Sequence, residues 1–104
     1  MAVALTAMPT ITAPTTDLDI EALKRILPPW AVILHNDEHN SMDHVVRSLL
    51  KSVPVLTEEM AGEVMMMAHE HGQAIVTACP KETAEHYRER LESCGLTATI
   101  EPVA

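Results

Sequence analysis

Asn36-Asp37-Glu38 follows directly on the apolar run Ala31-Val32-Ile33-Leu34, and Met65-Met66-Met67-Ala68-His69-Glu70-His71-Gly72 lies downstream. An amide and two carboxylates at the end of a strand, set beside histidines at the end of a methionine-rich helix, give a hydrophobic pocket an anionic rim. Such a site suits a ligand that carries one cation next to one apolar side chain. A free α-amino group is that cation: an ammonium has three donors and needs about three acceptors. Asn36 and Asp37 can accept from it, and His69 can add a ring nitrogen or a bridging water. Hydrogen bonds to a charged group are roughly twice as strong as neutral ones. Burying the neighbouring side chain adds roughly 1.5–3 kcal/mol. Neither half binds well alone, so both features must sit on the same residue.

Each part also has a plainer explanation. A polar triplet after a strand is commonly a turn leading into a helix. A histidine near a helix end is favoured there by the dipole. Methionines fill core gaps because their side chains are flexible and polarizable. The six histidines do not make a metal site. His69 and His71 are two apart and face different ways on a helix, His35 and His39 straddle a turn, and no HExxH pattern occurs. Cys79 and Cys94 show neither zinc spacing nor a base at a recognisable distance, and read as reduced packing residues. The three glycines are isolated, so there is no phosphate-binding loop. No metal and no cofactor are expected.

At 104 residues and 47% hydrophobic, the chain supports one domain with one modest core. A net charge of -8 argues against nucleic acid or an anionic membrane as the main partner, since both need basic surface. No apolar run approaches the roughly 18 residues of a membrane span. The first 23 residues hold no Lys or Arg, which fits neither a signal peptide nor an Arg-rich transit peptide. A cytoplasm-like compartment is expected.

The elements that must position the polar residues can be read in order. Residues 1–16 are Ala, Thr and Pro without a period and read as disordered. Asp17 to Leu27 reads as a short, weak helix, with Leu18, Ile20, Leu23 and Leu27 in a stripe, and Pro28-Pro29 stops it. Residues 1–27 are thus expected as a flexible extension and 28–104 as the core domain. Trp30 to His35 reads as a buried strand. Ser41 is an N-cap, after which Met42, Val45, Val46, Leu49, Leu50 and Val53 recur at helical spacing. Pro54 ends that helix. Thr57 caps the next, which runs to about His71, where Gly72 can take the left-handed closing conformation. On this second helix Met65, Ala68 and His69 are neighbours, and Met60, Val64 and Met67 form the adjoining stripe. If Met65 and Ala68 turn toward the first helix they meet Met42 and Val46. Residues 74–78 form a second strand. Pro80 opens a third helix with Ala84, Tyr87 and Leu91 inward, and Gly95 closes it. Leu96, Ala98 and Ile100 alternate with polar residues in a half-buried last strand. The fold class is α+β in the order β-α-α-β-α-β: a small three-stranded antiparallel sheet with three helices packed on one face.

The run Ile33-Leu34-His35-Asn36-Asp37-Glu38-His39-Asn40-Ser41-Met42-Asp43, with Val45-Val46 and Leu49, resembles the signature of the ClpS family, adaptors that recognise N-degrons for the Clp AAA+ protease. Met65 to Ala74 is similar to the family's second motif. Glu82-Thr83-Ala84-Glu85 and Gly95 to Glu101 match further blocks, so the resemblance spans about residues 28–102. It implies a monomeric, non-enzymatic adaptor. Such an adaptor binds proteins whose first residue is Leu, Phe, Tyr or Trp and passes them to a ClpA- or ClpC-type unfoldase working with ClpP. It further implies that Asn36, Asp37 and His69 hold the α-amino group and first peptide group, with Glu38 adding negative charge. The implied pocket is lined by Ile33, Leu34, Asn40, Met42, Val45, Met65, Ala68 and Leu96, with Met42 as a gate against β-branched first residues. Glu82 is implied in unfoldase docking, and the N-terminal segment in delivery. Glu38 stands where the family usually has Asp, Ser41 replaces a frequent Pro, and Ala68 replaces a common Val. Tyr87 stands where some members carry Lys.

Two other functions fit the composition. A general interaction module, resembling the ribosomal stalk C-terminal domain, explains an acidic, methionine-rich surface but gives no reason for Asn36, Asp37 and His69 to converge. A metal-dependent hydrolase using His39, His69 and His71 is the weaker option.

Overall fold

The computed structural model describes residues 27–103. The expected helix over Asp17 to Leu27 and the flexible extension lie outside these residues, Leu27 excepted. Three strands and three helices follow in the order β1 (Trp30–His35), α1 (Met42–Ser52), α2 (Glu58–His71), β2 (Gln73–Cys79), α3 (Lys81–Ser93) and β3 (Thr97–Pro102). The sheet order is β2-β1-β3 and both pairings are antiparallel. This is the α+β arrangement read from the sequence, with the helices on one face of a small sheet.

Each boundary has a local cause. Ser41 lies in extended backbone and its hydroxyl accepts from the His44 N–H at 3.1 Å, capping α1. Thr57 does the same for α2 by accepting from the Met60 N–H at 3.1 Å, with Glu58 and Glu59 in the first turn. Gly72 closes α2 at φ 92°, a left-handed backbone that glycine adopts without a Cβ penalty. Pro80 precedes α3 and makes no side-chain cap.

The core lies between the sheet and the helices. Val32 and Leu34 from β1, Ala74 and Val76 from β2 and Ala98 from β3 meet Leu49 and Val53, Ala61 and Ala68, and Ala84 and Leu91. Leu49, Val53, Ala61, Ala84 and Leu91 have no exposed surface. Tyr87 packs against this cluster as a partly buried neighbour, so the inward stripe of α3 is the one read from its spacing. Small residues on α2 and α3 let the helices sit close to the sheet, which suits a chain without phenylalanine. Lys81 Nζ lies 4.8 Å from the Trp30 ring centroid, joining the start of α3 to the start of β1.

Candidate functional site

Strand β1 is central, so its end is held from both sides. His35 pairs with Gln73 of β2 and with Thr97 of β3. One residue on, the Asn36 N–H donates to the Gly72 carbonyl at 2.9 Å. Gly72 in turn donates to the Ala68 carbonyl at 2.8 Å. This chain of backbone bonds brings Asn36 to the C-terminal end of α2, where His69 is exposed.

The turn after Asn36 is built by Asp37. Its Oδ1 accepts from the His39 N–H at 2.9 Å, from the Asn40 N–H at 3.0 Å and from Asn40 Nδ2 at 3.1 Å, while Oδ2 accepts from Asn40 Nδ2 at 3.1 Å. A side chain that accepts from backbone N–H groups two and three residues ahead imitates a backbone turn. Burial pushes the Asp37 carboxyl up. The hydrogen bonds from the Asn40 side chain and from the His39 and Asn40 backbones, with the charge of His39, outweigh it and hold the group below its ordinary value. Asn40 Nδ2 also donates to the Gly95 carbonyl at 2.9 Å, tying this turn to the loop before β3. Gly95 can present that carbonyl because its φ is 88°.

These ties enclose a cavity of about 360 Å³ between the end of β1, the start of α1 and the second half of α2. Leu34, Met42, Val45, Met65, Ala68 and Leu96 supply its apolar lining. Asn36, Asp37, Glu38, Asn40 and His69 border the same cavity, joined by His35 and Ser41. Ala68 and Leu96 are buried, whereas Met42 is 44% exposed and stands at the mouth. Glu38 is exposed and makes no hydrogen bond among the described residues, so it is the uncommitted carboxylate of the rim. The helical projection that grouped Met65, Ala68 and His69 thus picked the cavity side of α2.

Two expectations need correction. Ile33 does not line this cavity. Alternation along β1 sends its side chain the other way from Leu34, and it borders a second depression with Ile75, Met60, Val64 and Met67. Val46 is not at the cavity either; it packs on the core, and Val45 takes the place beside Met42. Asp37 borders the cavity, and its carboxylate also builds the turn, with three hydrogen bonds on Oδ1 and one on Oδ2. His35 and Ser41 were not anticipated as bordering residues; both flank the expected polar triplet, and chain proximity was the only signal for them. Glu82 lies away from the cavity, in a shallow depression on α3 with Thr83, Glu85, His86 and Glu89. Among the described residues no three His, Cys, Asp or Glu side chains gather as a metal site, and no helix is long and apolar enough to cross a membrane.

A family model described as the ATP-dependent Clp protease adaptor protein ClpS matches residues 25–99. The chain belongs to the ClpS family. The ClpS adapter of Synechococcus elongatus is 46% identical over 79 residues, covering 76% of this chain and 83% of the relative. The chloroplastic Clp protease adapter CLPS1 of Chlamydomonas reinhardtii is 45% identical over 94 residues, or 86% of this chain; the match spans only 58% of that relative's length. The solved structure of Agrobacterium tumefaciens ClpS2 bound to L-phenylalaninamide superposes with a TM-score of 0.69 at 28% identity, covering 73% of this chain and 98% of that one. These ClpS relatives carry the name of an adaptor of a protease, not of a protease.

Proposed function

We propose that this chain captures proteins by their first residue when it is Leu, Phe, Tyr or Trp, and delivers them to a ClpA- or ClpC-type unfoldase for degradation by ClpP. The observation that carries the reading is a cavity that joins a hydrocarbon lining to a rim of Asn36, Glu38 and His69. The Asn36 amide oxygen, the Glu38 carboxylate and a His69 ring nitrogen offer the three acceptors an ammonium requires. The apolar wall takes the side chain on the same residue. L-phenylalaninamide, the ligand of the Agrobacterium relative, has this chemistry: a free α-amino group, an apolar side chain and an amide in place of a carboxylate. A general docking domain gives no reason for these groups to share one cavity.

Met42 is read as the gate. A side chain at the mouth leaves a slot that an unbranched Cβ can enter and a branched one cannot. Glu82 and its depression are read as the unfoldase-docking face, and residues 1–27 as the segment used in delivery.

Fluorescence anisotropy with peptides that differ only at the first residue tests the proposal. Peptides beginning with Leu or Phe are expected to bind, those beginning with Val or Ala to bind weakly, and acetylation of the amino terminus to abolish binding. Met42→Ala is expected to admit Val and Ile. Equal binding of acetylated and free peptides would reject first-residue capture.

A further inference from the structure

One residue that borders the cavity carries a hydrogen-bond acceptor that no group among the described residues uses. Asn40 is half-buried and borders the cavity beside Leu96. Its amide nitrogen faces three oxygens: both carboxylate oxygens of Asp37 at 3.1 Å and the Gly95 carbonyl at 2.9 Å. The reversed amide would set oxygen against oxygen at all three, so the surroundings fix which end is nitrogen. Both amide hydrogens are therefore spent on the turn and on the loop before β3. Oδ1 accepts no hydrogen bond among the described residues and keeps two lone pairs. What this bordering residue has left to offer a ligand is therefore an acceptor and no donor.

Beside it the lining is hydrocarbon: Leu34, Val45, Met65, Ala68 and Leu96. An aromatic ring that enters this space strips water from Oδ1. If the ring carries no donor, the oxygen is left unsatisfied, which costs free energy; if it carries one, the bond is remade. Resting on the reading of this cavity as a first-residue pocket, we infer that Asn40 is a specificity-determining residue that ranks the substrates within the apolar class. Its Oδ1 favours first residues that end in a donor, Tyr with its O–H and Trp with its indole N–H, over Phe and Leu. A net hydrogen bond of this kind corresponds to about two- to tenfold in affinity.

Asn40 also braces Asp37, so its replacement weakens binding of every peptide. The deciding readout is consequently a ratio within one protein, which general loosening does not move. Dissociation constants are measured for peptides that share all residues but the first, with Tyr, Phe, Trp or 1-naphthylalanine there, on the unaltered chain and on Asn40→Ala. The Tyr:Phe and Trp:naphthylalanine preferences are expected to fall by about two- to tenfold in the variant, with circular dichroism unchanged. Ratios that stay the same in a folded variant overturn the inference while leaving first-residue capture intact. Should Asn40→Ala fail to fold, Asn40→Val is read instead, and the unaltered chain must still prefer Trp over its donor-free isostere; indifference there overturns the inference as well. If no free-amine peptide binds at all, the reading of the cavity fails first and the inference falls with it.

Discussion

Two adjacent carboxylates carry different duties here, and the geometry separates them. Asp37 accepts four hydrogen bonds within its own turn, whereas Glu38 is exposed with no partner among the described residues. Glu38→Gln is therefore expected to weaken binding of free-amine peptides about fivefold, the modest value of an exposed charge pair, and to leave the melting temperature unchanged. Asp37→Ala removes the acceptor for two backbone amides and is expected to lower stability by about 1–2 kcal/mol, with loss of hydrogen-exchange protection at His39 and Asn40. Equal effects of the two substitutions on stability would contradict this division. The pH dependence has a definite sign. Because the folded Asp37 carboxyl lies below its ordinary value of 3.8, the turn contributes its full stability above that value. It loses it as pH falls through the lower folded value. A carboxyl-resolved NMR titration is expected to find Asp37 still ionised at pH 3.8, and an ordinary or raised midpoint would refute the turn's electrostatic role.

The helices were legible in the sequence because their boundaries are chemical. Ser41, Thr57, Gly72 and Pro80 mark ends by capping, left-handed backbone or a missing N–H, and the structure uses the first three in that way. Ser41→Ala and Thr57→Ala are each expected to cost about 1 kcal/mol in denaturant unfolding. Gly72→Ala forces a Cβ onto a φ of 92° and is expected to destabilise by a similar amount. Its effect on binding should exceed that of Thr57→Ala, because the Gly72 carbonyl holds Asn36. The strand faces were less legible. Ala31, Val32, Ile33 and Leu34 are all nearly fully buried, since β1 is the central strand. With no apolar–polar alternation, nothing in the run tells which side chain meets the helices, and Leu34 and Ile33 were both assigned to the cavity although only Leu34 reaches it. The register shift between Val32 and Ile33 against β2 left no trace in the residue pattern either. On α2, where the period is 3.6, two adjoining stripes separated cleanly: Met65 and Ala68 toward the cavity, Met60, Val64 and Met67 toward the second depression.

Across the whole molecule, the cavity draws on β1, α1, α2 and the loop before β3, residues far apart in sequence. What the sequence could say of it was which residue types would have to converge; that Asn36 reaches His69 depends on the antiparallel pairing of β1 with β2 and on the Asn36–Gly72 hydrogen bond. The charge of the chain acts over a longer range. Fifteen acidic residues against seven basic ones give a net charge of -8, so a cationic amino terminus approaches an attractive field before it touches the rim. Salt shortens that reach, with a Debye length falling from about 30 Å at 0.01 M to about 3 Å at 1 M. Contacts inside the hydrocarbon cavity are screened much less. Raising the salt concentration from about 0.02 to 0.5 M is therefore expected to slow association with a free-amine peptide several-fold, while dissociation changes little. Stopped-flow anisotropy separates the two rates. An acetylated control peptide of the same length has no terminal cation to steer. If dissociation rather than association takes up the salt effect, the charge acts at the bound rim and not along the approach, and Glu38→Gln should then remove most of the salt dependence. If association slows as expected, Glu38→Gln should remove only a small part of it, because one carboxylate is a minor share of the net field.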